Sequence, residues 1–153
     1  MAVELPAAVW GTDQVLCDPP PDEIAVRLWA EVARELIGPS ADATVSIDCD
    51  DPETELRLKV AGFHLAEGDA QERPEVEESL TLEREGQLEG ALEQVLRLPP
   101  EAPLGALAIG GGRGVDLDLG VGLDVWGEGA LAALRRAAAR LGIMLRERPA
   151  EEG

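Results

Sequence analysis

Carboxylates are the side chains with chemical capacity that this sequence supplies in number. Asp116 and Asp118 stand two residues apart in an alternating stretch, and Asp124 follows in the same phase. In a strand all three share one face, spaced about 6.6 Å per two-residue step. Asp48 ends another alternating stretch and leads into Asp50, Asp51 and Glu53. Carboxylates gathered from two strands could hold a hard cation, or one of them could serve as a general base. The run from Asp48 to Glu53 lacks the Gly and the closing Glu of an EF-hand loop. The plain alternative is a solvated polar sheet face.

Other chemistries have little to build on. The chain has one histidine, His64, which reads as a strand-end or surface residue, and no Gly-x-Ser-x-Gly elbow. A Cys–His dyad would have to join His64 to Cys17 or Cys49, and both cysteines fall on inward positions where a thiol packs as an inert apolar group. Three N/S ligands without paired spacing do not make a zinc site. Gly110–Gly114 resembles a phosphate loop only superficially. A strand follows it instead of a helix, the Lys-Ser/Thr is missing, and a hairpin turn is the natural reading. Arg135, Arg136 and Arg140 form a wet helix stripe near a C-terminus, where the dipole favours cations. No catalytic residue, cofactor or metal is therefore expected, and the balance leans away from an enzyme.

Charge narrows the partners. Asp and Glu number 31 against 13 Lys and Arg, giving −18 at pH 7. Residues 1–127 carry −19 and residues 128–153 carry +1. A chain with this field and four aromatic residues (three Trp, one Phe) is unsuited to neutralising phosphates or stacking bases. An anionic membrane surface would repel it. No apolar run reaches the roughly 18 residues of a membrane span, and the N-terminus has no signal-peptide pattern. Two cysteines without export signals fit a reducing cytoplasm. A disulfide between them would need their strands to be neighbours.

These residues must be positioned by a scaffold that the pattern partly reveals. Val15–Cys17 reads as a short strand stopped by three prolines. Asp22 is placed as the N-cap of a helix running to about Ile37, with Ile24, Leu28, Val32 and Leu36 on its apolar face. Thr44–Cys49 alternates as a strand. Leu56, Leu58 and Val60 alternate with Glu55, Arg57 and Lys59, predicting a second strand paired with the first as a hairpin. Residues 66–78 read as a mobile acidic loop. Leu80 and Leu82 mark a third strand, and residues 88–96 a second helix. Leu104–Ile109 and then Val115–Trp126 read as strands, the latter as one long alternation. Residues 130–141 make an Ala-rich helix stopped by Gly142, and Ile143–Leu145 an edge strand.

The expected order is β-α-β-β-β-α-β-β-α(-β). It predicts an α+β fold, a mostly antiparallel sheet with about three amphipathic helices on one face and the other face partly open. One domain is expected over 1–148, with a disordered tail at 149–153. With its first strand set aside, the order resembles that of the acidic chaperones of type III secretion, and its last six elements resemble a ferredoxin-like plait. These are resemblances of element order, and no residue carries over from them.

If all the strands join one sheet, its open face carries Asp48, Arg57, Lys59, Asp116, Asp118, Asp124 and the outward Trp126, with Asp50 at its rim. Trp is a favoured interface anchor, although packing of Trp126 against the N-terminal segment around Trp10 would also account for it. The sequence thus points to a small acidic cytoplasmic binding protein with a basic protein partner, of the immunity, antitoxin or chaperone kind, and leaves a homodimer open. Its partner-binding residues would be Asp48, Asp50, Asp116, Asp118, Asp124 and Trp126. The alternative is a carboxylate-based enzyme or divalent-metal domain using the same face.

Overall fold

A computed structural model describes residues 3–10, 14–38, 40–65 and 80–148. The acidic loop and the C-terminal tail lie outside them. The elements are β1 (Val3–Trp10), β2 (Gln14–Cys17), α1 (Asp22–Leu36), β3 (Thr44–Cys49), α2 (Pro52–Val60), β4 (His64–Leu65) and β5 (Leu80–Glu85). They continue with α3 (Leu88–Leu96), β6 (Gly105–Gly110), β7 (Arg113–Asp118), β8 (Gly122–Trp126), α4 (Ala130–Leu141) and β9 (Ile143–Arg148). The fold is α+β. Among the described residues nine strands form one sheet in the order β4-β5-β3-β6-β7-β8-β2-β1-β9, antiparallel throughout except for β1 with β9. In a ferredoxin-like plait the first and last strands are neighbours. Here β5 lies beside one edge and β9 forms the other, so that resemblance ends at element order.

Alternation sorts the sheet into two faces. The pairing runs Leu82, Ile47, Ala106, Leu117, Leu123, Cys17 and Ala7 across one row, all buried. Val45, Ala108, Val115, Val125 and Val15 form the next row. Helix α1 packs on β6 and β7, α3 on β3, and α4 on β8, β2 and β9. These helices and rows close a single hydrophobic core. Trp29 of α1 is fully buried at its centre, and its indole N–H donates to the Val115 carbonyl at 3.2 Å.

Three local expectations change. The segment containing Leu56, Leu58 and Val60 is helix α2, not a strand. Asp51 starts it, accepting from Thr54 N at 3.0 Å and Thr54 Oγ1 at 2.9 Å, and Pro52 occupies the first turn, where its missing N–H costs nothing. Glu53–Arg57 and Glu55–Lys59 ion pairs, one turn apart, hold its surface. Only Thr54 and Leu58 are buried, whereas Leu56 and Val60 are exposed, so the apparent alternation has no buried counterpart. Helix α2 connects two parallel strands, β3 and β4, that flank β5, so Thr44–Cys49 has no hairpin partner there.

Second, Val115–Trp126 is two strands. Gly120 at φ +82° turns the chain between Asp118 and Gly122, a conformation L side chains rarely adopt. Third, Asp22 is the first helical residue and Pro21 the cap, so Asp22 acts on the helix dipole alone. The expected hairpin at Gly110–Gly114 is present: Gly111 and Gly112, both at positive φ, form a two-residue turn between β6 and β7.

Candidate functional site

The open face is built from the residues that alternate with the core rows. One row runs His64, Glu83, Ser46, Leu107, Asp116, Asp124 and Leu16. A second runs Thr81, Asp48, Gly105, Asp118 and Gly122. A third carries Glu85, Thr44, Ile109, Gly114, Trp126, Gln14 and Trp10. Asp48, Asp116, Asp118, Asp124 and Trp126 therefore lie on one surface, contributed by β3, β7 and β8. Asp50 does not join them. It is exposed in the turn before α2. Arg57 and Lys59 are on α2 and paired to its own glutamates, so the cations expected on this face are missing from it.

Asp116 and Asp124 are cross-strand partners, and like charges opposed in this way repel. Burial, reinforced by Asp118, Asp124 and Asp48, pushes the Asp116 carboxyl up to about 6. Burial also raises Asp124, against a Gln14 side-chain amide that donates to Oδ1 at 3.3 Å. Asp48 accepts a 2.6 Å bond from the Thr81 hydroxyl. Between Asp48 and Asp118 stands Gly105. A Cβ there would lie 3.2 Å from Asp118 Oδ1 and 3.5 Å from Asp48 Oδ2, so the missing side chain leaves a gap between the two carboxylates. Asp116, Asp118, Asp124 and Asp18 line a cavity of about 350 Å³ together with Leu16 and Val121. Trp126 borders the acidic rows and lies across Gly114, where any side chain would overlap its ring.

The arginines of α4 and Arg34 of α1 are already engaged. Arg136 and Arg140 of α4 pair with Glu35 of α1 at 2.7 and 3.4 Å, and Arg140 reaches Glu31 at 3.0 Å. Arg34 joins Glu31 and Glu89, and Arg135 joins Glu147. The hydrogen bond from Arg136 holds the Glu35 carboxyl below its usual range. The α4 arginine stripe is thus tied by ion pairs to α1 through Arg136 and Arg140 and to β9 through Arg135. Among the described residues no Lys or Arg pairs with Asp48, Asp116, Asp118 or Asp124.

The two cysteines and His64 lie on opposite faces of the sheet. Cys17 and Cys49 are buried thiols on the covered face, not joined by a disulfide, and burial pushes the Cys49 thiol up to about 11. Their strands are separated by β6, β7 and β8, four strand steps or roughly 19 Å, beyond disulfide reach. His64 sits on the opposite face with Glu83 and Glu85, and its Nε2 is 3.1 Å from Glu85 Oε1. The hydrogen bond to Glu85 raises its pKa. This trio, Asp18 in the cavity, and the apolar strip of Leu107 and Ile109 escape a sequence reading because they depend on which strands pair. The one available signal is that Glu83 and Glu85 alternate with Leu80 and Leu82 in the phase of an outward face.

The Asp116 environment gives a stability expectation. Its folded pKa of about 6 lies above the model-peptide 3.8, so folding disfavours the ionised form. The penalty is absent below the unfolded value, grows as pH rises, and is complete above about 6. A rise of this size corresponds to about 3 kcal/mol, which partial solvent exposure reduces to about 1 kcal/mol. Asp116→Asn is expected to raise Tm by roughly 2–4 °C at pH 7.5 and by about half that at pH 5. Thermal unfolding at the two pH values checks this, and an unchanged or lowered Tm at pH 7.5 contradicts the crowding.

Comparison with known proteins finds no protein-family model, no curated protein and no solved structure that matches this chain.

Proposed function

We propose that this protein is a non-enzymatic binding protein that holds a basic protein partner on its open acidic sheet face, as an immunity- or antitoxin-like inhibitor or a chaperone does. The observation that carries the reading is the set of four aspartates on β3, β7 and β8, crowded enough to raise Asp116, with no Lys or Arg paired to them among the described residues. A binding surface for Lys or Arg has this electrostatic form, because an incoming cation relieves repulsion that the free protein bears. Trp126, Leu107 and Ile109 supply an apolar border of the kind that anchors interfaces. The net charge of −18 adds long-range steering of basic partners and disfavours a second copy of the chain on the same face.

A carboxylate-based enzyme rests on the same cavity, since a pKa of about 6 suits a general base near neutral pH. The described lining of the cavity offers that base further carboxylates and apolar groups, and no Lys, Arg or His to serve as an electrophile.

Capture from native lysate at about 50 and about 500 mM salt, read by mass spectrometry, tests the proposal. The Debye length falls several-fold over this range, so a face-bound basic partner is expected to be stoichiometric at low salt and depleted at high salt. Retention of no basic protein, or of one indifferent to salt, overturns it.

A further inference from the structure

We propose that His64, Glu83 and Glu85 form a binding site for zinc(II) that clamps the edge strand β4 onto β5. The site lies at the β4 end of the open face, apart from the aspartate cavity. His64 and Glu83 are direct cross-strand partners, and Glu85 follows two residues later on the same face. One ligand atom from each of the three converges to within 4.8 Å of the others. The imidazole is oriented for metal binding. Its Nδ1 faces the Leu65 carbonyl at 3.1 Å and its Nε2 faces Glu85 Oε1 at 3.1 Å, and in the neutral tautomer that donates from Nδ1 to Leu65 it is Nε2 that offers a lone pair to a metal.

A neutral imidazole cannot donate to both of these oxygens. Both ring nitrogens face oxygen acceptors, and a neutral imidazole has one N–H. Whichever tautomer forms, one lone pair points at an oxygen. Either a proton or a metal ion at Nε2 resolves the conflict. The geometry is close to that of a metal already. Zinc–nitrogen and zinc–oxygen bonds near 2.1 Å imply a tetrahedral ligand–ligand edge of about 3.4 Å, and Nε2 to Glu85 Oε1 is 3.1 Å. Glu83, within 4.8 Å of the other two ligand atoms and on a flexible stem, needs to close by at most about 1.4 Å.

Two carboxylates and a neutral imidazole balance a divalent charge, and the nitrogen ligand favours zinc over magnesium or calcium, which select all-oxygen sites. His64 and Glu85 are both more than half exposed, which leaves the fourth position to water. Among the described residues β4 pairs through two residues, His64 and Leu65, so the ion would add a cross-strand link to a short ladder.

Zinc(II) titration of the whole protein at pH 7.5, by calorimetry and by the imidazole ¹⁵N resonances, tests the site. Since His64 is the one histidine, its spectrum has a single assignment. One saturable site is expected, with a shift of the Nε2 resonance. His64→Gln and Glu85→Gln, both surface changes that should leave the circular dichroism intact, are expected to weaken binding by at least about tenfold. Asp116→Asn with Asp118→Asn is expected to leave it unchanged. No saturable site, an unmoved Nε2 resonance, or equal loss in the aspartate variant overturns the proposal and returns His64 to a simple ion pair.

Discussion

Trp29→Ala is expected to cost about 5 kcal/mol and to lower Tm by roughly 10–20 °C. Truncating a buried Trp costs about 3–5 kcal/mol through lost transfer energy and the cavity left behind. Trp29 is 0 % exposed and sits where α1 crosses the central strands. Its indole N–H is the partner of the Val115 carbonyl, and stranding that acceptor adds about 1–2 kcal/mol if water cannot enter. A loss of this size is a third or more of the stability of a typical domain. Trp29→Phe separates the two contributions, keeping most of the volume and losing the hydrogen bond. Urea unfolding followed by circular dichroism measures both. A loss below about 2 kcal/mol for Trp29→Ala would mean that α1 does not seal the core as described.

The second large effect concerns binding and carries opposite signs in two readouts. Asp116→Lys with Asp118→Lys is expected to weaken retention of a basic partner at least 100-fold, while Tm holds or rises. Reversing two charges at the centre of a complementary surface costs binding about 3–5 kcal/mol through lost attraction and new repulsion, and slows association as well. The same change removes like-charge crowding from the free protein, where Asp116 already sits near pKa 6. Such a pairing of lost function with retained or gained stability is what a functional site maintained against folding produces. Retention unaffected by the double reversal would remove this face from the interaction. A sharp fall in Tm would instead show the two side chains to be inward, a strand phase wrong by one residue.

Much of this architecture is legible in one dimension because it depends on local periodicity. The four-residue recurrence from Ile24 to Leu36 can be satisfied only by a helix with one face buried, and α1 follows it. The alternation of Val115, Leu117, Leu123 and Val125 with Asp116 and Asp124 separates a covered face from a wet one, whatever the strands beside it. The sign of the protein's field follows from composition alone.

What local pattern did not decide was which strands are neighbours and where a short segment has enough core to hold it. Leu56, Leu58 and Val60 alternate like a strand, yet Asp51 and Pro52 begin a helix there and only Leu58 finds the core. Capping acts over three residues and outweighs an alternation with nothing to pack against. The long alternation up to Trp126 conceals a turn at Gly120, because two strands joined in phase read the same as one. Arg57 and Lys59 leave the open face with α2, making that face more anionic than the sequence implied. The opposition of Asp116 to Asp124 and the meeting of His64 with Glu83 and Glu85 exist only through strand pairing. The residue types of the candidate sites come from the sequence. Their proximity, and with it the raised carboxyl pKa and the unresolved imidazole contact, comes from long-range pairing that no local pattern encodes.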